Sequence, residues 1–257
     1  MMKPNSQEQS KTDLHKTHTR SAIRRRLGAG YQHSYLKDFI YGAIDGTVTT
    51  FAVVSGVAGA ELSGKIVIIL GMANLLGDGF SMAVGNFLGT KTEAQQREQA
   101  RRMEENHIKE VPEGEREEVR QIFSKKGFEG KELERVVDVI TSDRKQWIDT
   151  MIQEELGLSL GGPSPWRAAF TTFAAFVLIG FLPLVSFVLK LGNPQWILDP
   201  FTVSTVLTAF AFFVIGALKA RYIGQGWVKA GLETLLIGGC AAALAYTAGV
   251  FLKDIVQ

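Results

Sequence analysis

Three polar or soft side chains stand inside otherwise apolar stretches: Asp45, Asp78 and Met82. An acid at membrane depth is costly unless it faces a cavity or a partner, so each acid is a candidate path residue. Asp45 lies in Tyr41-Gly-Ala-Ile-Asp-Gly-Thr47 and Asp78 in Gly77-Asp-Gly79; Met82 follows Asp78 by one helical turn on the same face. A carboxylate with a thioether suits a divalent transition-metal cation, whereas Mg²⁺ and Ca²⁺ take oxygen ligands alone. The plainer alternative is an acid hydrogen-bonded to a neighbouring helix, beside a methionine that fills space against lipid.

A second group lies in the charged block from Glu93 to Glu155. Glu104 and His107 are three apart, Glu115 and Glu118 three apart, and Met151 and Glu155 four apart, so on helices each pair shares a face. Three helices turning carboxylates, one imidazole and one thioether to a common centre would hold an ion such as Fe²⁺. Solvated charge is the competing account, and Glu98, Glu105, Glu110, Glu113, Glu117 and Glu154 fit it. Glu104-Glu-Asn-His107 is also one copy of the Glu-x-x-His motif of di-iron carboxylate proteins, which need two. A membrane-anchored ferroxidase is therefore a rival reading, and a metal sensor without transport is another.

These residues need helices to position them. The 257 residues are 46% hydrophobic and 21% charged, an average that hides a partition. Nearly all charge falls in residues 1–38 and 90–167. Five long apolar stretches occupy the rest, each near the ~20 residues that cross a bilayer as a helix. They run from about Phe39 to Ala60, Ile66 to Leu88, Ala168 to Leu189 with a break at Pro183, Phe201 to Leu218, and Leu232 to Leu252. The expected fold is all-α: five transmembrane helices with a small cytosolic helical metal-binding insert between spans two and three. The divisions are a basic tail (1–33), spans one and two (34–90), the module (91–163) and spans three to five (164–257).

Within the module, Thr92 is expected to cap a helix over Glu93–Lys109 that Val111-Pro112 ends. Further helices are expected over Pro112–Lys126, Lys131–Ile140 and Ser142–Leu156. Val119, Ile122, Phe123, Leu133, Val136, Val137 and Ile140 recur at three and four and would form its apolar core. The tail, the module and the loop carrying Lys219, Arg221 and Lys229 are basic and separated by even numbers of spans. Basic residues favour the cytosolic side, which puts all three in the cytosol. The tail is read as mostly disordered, and its first thirty residues lack the apolar core of a signal peptide. The lack of an organelle signal points to a bacterial plasma membrane rather than a vacuolar one. Lone Cys240 excludes a disulfide framework and reads as a small buried hydrophobe. No basic, aromatic-interleaved surface suggests a nucleic-acid partner.

The runs Asp38-Phe-Ile-Tyr-Gly-Ala-Ile-Asp-Gly46, Gly79-Phe-Ser-Met-Ala-Val-Gly85, Glu155-Leu-Gly-Leu158 and Glu233-Thr-Leu-Leu-Ile-Gly-Gly239 resemble the vacuolar iron transporter family in order and spacing. The resemblance covers the chain from about residue 34 onward. It implies a homodimer that exports Fe²⁺, often Mn²⁺, in exchange for protons, along a path between the first spans of two subunits. Zn²⁺ is a further possible cargo, and no cofactor is expected beyond the divalent metal. By position, Asp45 and Met82 match the family's in-membrane acid and thioether; Glu104, Glu115, Glu118, Met151 and Glu155 match its cytosolic metal module. His107 departs from an expected glutamate and Ile152 from a second methionine. Ser34 and Asn74 stand where plant members carry acids, and Asp78, one turn from Asn74, is a candidate replacement.

Overall fold

The computed structural model describes residues 16–28, 33–193, 195, 197 and 199–256. Every regular element among them is a helix. Tail residues 1–15, with His15, lie outside this set. The tail reading still needs one correction: Arg20–Gly28 forms a helix, α1, entered through Thr19, whose hydroxyl accepts from the Ala22 N–H at 3.3 Å.

From Tyr35 onward the chain builds a second unit. Helix α2 (Leu36–Gly59) is followed by α3 (Gly64–Glu110), α4 (Pro112–Lys125), α5 (Gly130–Thr141) and α6 (Arg144–Glu154). After these come α7 (Pro165–Gly180), a 3₁₀ turn (Leu182–Leu184), α8 (Val185–Gly192), α9 (Pro200–Ile223) and α10 (Trp227–Val256). Five helical segments are long and apolar enough to cross a membrane: α2, α3, α7 with α8, α9 and α10. The protein is a multi-pass membrane protein.

α2 is the central span, packed against α3, α7, α9 and α10. Phe51, Val54, Leu75, Phe176, Leu184 and Phe212 form its buried surroundings, while Phe80, Phe170, Phe210 and Leu244 face outward. Without water to exclude, helices associate through close packing. Gly46 and Gly180 provide it: a Cβ on Gly46 would lie 2.5 Å from the Phe176 carbonyl oxygen, and one on Gly180 would lie 2.7 Å from the Gly46 carbonyl oxygen. Pro183 interrupts the third span as expected. Backbone oxygens around the break find side chains: Ser204 Oγ donates to Pro183 O at 2.6 Å and Ser186 Oγ to Pro200 O at 2.7 Å. Such recruitment lets a broken helix persist in lipid.

The second span and the first module helix are one. α3 runs unbroken for 47 residues, roughly 70 Å at 1.5 Å per residue. Thr92 does not cap a new helix; its hydroxyl donates back to Leu88 O at 2.8 Å, the interior habit of Ser and Thr. Without proline between Leu88 and Glu93, the helix has no reason to stop there. Pro112 does end it, lacking an N–H and clashing with the preceding turn. Cys240 is also corrected: it is exposed on α10, a helix whose apolar window is only 6% buried.

The glycine contacts generate a prediction. Gly46→Val should lower stability by about 1–3 kcal/mol, the usual cost of overpacking. Gly239→Ala, with nothing within 4 Å of its Cβ position, should not lower it. Thermal unfolding in detergent would show the difference.

Candidate metal centre and membrane path

The end of α3 with α4, α5 and α6 makes a helical head with its own apolar core. Val119, Val137, Ile140, Trp147 and Met151 are buried in it, with Ile108, Ile122, Phe123, Leu133 and Val136 packed around them. The stripes legible in the sequence therefore meet one another. Polar ties fix the frame: Arg101 of α3 pairs with Asp149 of α6 at 2.7 Å, and Arg144 Nη2 donates to Glu105 O at 3.3 Å. Asp143 caps α6 by accepting from the Gln146 N–H at 2.9 Å.

This frame brings Glu104 and His107 of α3 against Glu115 of α4. One ligand atom from each lies within 4.8 Å of the other two, and His107 Nδ1 is 3.2 Å from Glu115 Oε1. Glu104 is 1% exposed and Glu115 3%, and the Oε2 atom of each is buried without a hydrogen-bond partner. A buried carboxylate oxygen without a partner is expensive. Two facing one imidazole form a ligand cluster chemically suited to a divalent cation.

Protonation reflects the same crowding. Burial first, then the charges of Glu115 and Glu155, push Glu104 up to about 7, with His107 working against them. Burial and Glu118 raise Glu115, and burial and Glu118 raise Glu155. Glu118 and Glu155 are thus near enough to act on the centre electrostatically, but both are exposed at its rim. Met151 is fully buried beside Val119 in the apolar core. The ligand triad is therefore Glu104, His107 and Glu115, with both carboxyls buried and the imidazole half-buried.

The membrane residues form a second arrangement along α2 and α3. Thr50 Oγ1 donates to Asn74 Oδ1 at 3.2 Å, and Asn74 Nδ2 donates to Asp78. Asp45 is half-buried, close enough to Asp78 for the two charges to interact. Asp78 itself is exposed on the single chain. Met82 packs against the bundle core and lines a 480 Å³ hollow with Lys37, Asp38, Tyr41, Gly85 and Asn86.

Sequence reasoning passed over one polar junction. Asn86 Nδ2 donates to Asp38 Oδ1 at 2.9 Å and to Thr172 Oγ1 at 2.7 Å, joining α3, α2 and α7. The available signal was spacing, since Asn74, Asp78, Met82, Asn86 and Thr90 recur every four residues along α3.

A bundle of five membrane-length helices with a charged helical head, and clustered ligand groups in both parts, defines a polytopic membrane protein with two candidate cation sites. Residues 36–250 match the VIT family, and the chain belongs to it. Vacuolar iron transporter 1 of Arabidopsis thaliana is 35% identical over 214 residues, 82% of this chain and 83% of that protein. The vacuolar iron transporter of Toxoplasma gondii is 33% identical over 228 residues, 86% and 76% of the two chains. That of Plasmodium berghei is 29% identical over 225 residues, 85% and 82% of the two chains.

The raised carboxyls carry a pH prediction. A group whose folded pKa exceeds its unfolded value stabilises the fold at low pH and loses that contribution as pH rises through the folded value. The metal-free head should therefore become less stable as pH climbs from about 4.5 through about 7, the unperturbed and folded values of Glu104. Asp149 moves the other way despite its burial, because Lys145 and Arg101 hold it low; its contribution is lost only below the ordinary carboxylate range. Hydrogen exchange of the head between pH 5 and 8 would measure the trend, and Glu104→Gln should flatten it.

Proposed function

We propose that the chain carries Fe²⁺, with Mn²⁺ as a second cargo, out of the cytosol in exchange for protons, working as a homodimer. One observation carries the reading: the rigid helix α3 bears both clusters, with Glu104 and His107 at its soluble end and Asp78 and Met82 inside the membrane. Met82 and Glu104 are 22 residues apart, about 33 Å along the axis. The names of the relatives, iron transporters all, support the choice of cargo.

In this reading the head faces the cytosol, in keeping with the basic residues of the tail and the Lys219–Lys229 loop. Glu118 and Glu155 at the rim draw cations inward, and Glu104, His107 and Glu115 hold one, compensating two buried charges. The ion then passes towards the hollow beside Met82 and meets the Asp45 carboxylate. Proton arrival at Asp45 from the opposite side weakens its hold, and the ion leaves. One carboxylate that takes either a proton or a cation suffices for exchange. A second copy of the chain would cover Asp78, which otherwise presents an acid to lipid, and would double the ligands available along the path.

Proteoliposomes with an imposed pH gradient test this directly. Wild-type protein should accumulate Fe²⁺ and Mn²⁺ in a gradient-dependent manner. Asp45→Ala should abolish accumulation, whereas Glu115→Ala/Glu118→Ala should only weaken it, chiefly at low metal concentration. A folded wild-type protein that moves no metal would overturn the proposal.

A further inference from the structure

We propose that His107 sets the metal preference of the head, tilting it away from Mn²⁺ towards ions that accept a nitrogen donor: Fe²⁺, Co²⁺ and Zn²⁺. This rests on reading Glu104, His107 and Glu115 as the loading centre. Three observations place the imidazole inside that centre. His107 follows Glu104 by one turn of α3, so the two share a face. Its Nδ1 is 3.2 Å from Glu115 Oε1. The three ligand atoms lie within 4.8 Å of one another, and ligands bound at roughly 2.0–2.2 Å from one ion are separated by about 3–4 Å. A small inward movement closes the set.

The Oε2 atoms of Glu104 and Glu115 are buried without a hydrogen-bond partner, so the centre holds acceptor capacity that no protein group fills. Two carboxylates alone would separate Mn²⁺ from its neighbours least, since hard oxygen ligands suit that ion. Imidazole steepens the order. Affinity for nitrogen ligands rises along the first-row divalent series from Mn²⁺ through Fe²⁺ and Co²⁺, and Zn²⁺ is also well served by imidazole. The other groups near the centre, Glu118 and Glu155, offer oxygen, so His107 is its nitrogen donor. The side chain is 44% exposed, so it can be exchanged without repacking the head.

The test is binding of Zn²⁺ and Mn²⁺ alone to metal-free, full-length protein in detergent, comparing wild type with His107→Glu and His107→Gln. Wild type should prefer Zn²⁺ over Mn²⁺, and both variants should reduce that preference about tenfold or more. Visible absorption of bound Co²⁺ should shift when the nitrogen ligand is lost. An unchanged Zn²⁺ to Mn²⁺ preference and an unchanged Co²⁺ spectrum in His107→Glu would overturn the proposal. In that event, loss of both metals in Glu104→Gln would leave the loading centre standing. A folded wild type that binds neither metal overturns both.

Discussion

The helical head is built around two carboxylates buried against each other. Glu104 and Glu115 are nearly inaccessible, each with one oxygen that no protein group satisfies. Folding alone gains nothing from that arrangement, since desolvation and like charge both oppose it. The rest of the head makes it tolerable. The apolar core around Val119, Trp147 and Met151 holds α4 and α6 in place, and Arg101 with Asp149 fastens α6 to α3. A proton on Glu104 relieves the conflict one way and a divalent cation relieves it another. The same two charges thus explain the raised carboxyl, and a bound cation would offset them.

α3 joins this head to the membrane-length helices without a break. Had the chain broken near Thr92, the head would hang from a linker and its position over the spans would vary. Thr92 instead bonds back within the helix, and the first proline is Pro112. The head is therefore carried on a rod whose other end lies in the membrane against α2. Stiffness here follows from side chains that decline to interrupt the backbone, not from any special contact.

Much of this was legible in the sequence, and the misses have physical causes. The spans were readable because apolar runs of membrane length have few other uses, and Pro183 and Pro112 punctuate as their backbone chemistry demands. The head's core was readable from apolar spacing. The break at Thr92 was misplaced because threonine serves equally well as a cap and as an interior residue bonding to the preceding turn. Helix α1 was missed because a short basic segment has no apolar periodicity to announce it. In the site, Glu104 could be paired with His107, and Glu115 with Glu118, by spacing along single helices. The burial of Glu104 and Glu115 and the exposure of Glu118 and Glu155 could not be read that way, because they depend on how α3, α4 and α6 meet.

The membrane face shows how far spacing can go once a contact is known. Thr50 meets Asn74, and Asp38 meets Asn86. In both pairs the residue numbers rise on one helix as they fall on the other by the same amount, as antiparallel neighbours must. That alignment sets Asp45 opposite Asp78 and Gly79, and Gly42 opposite Met82, so the acid, the thioether and the hollow fall on one seam. Steps of four residues overshoot a 3.6-residue turn by about 40°, so the polar stripe on α3 winds as it climbs. By Asn86 it has come round far enough to reach Thr172 of α7 as well as Asp38. At Asp78 it faces outward, where a single chain offers no cover. The winding stripe thus ties the three-helix junction at Asn86 to one end of the seam and leaves Asp78, near its middle, exposed on the single chain.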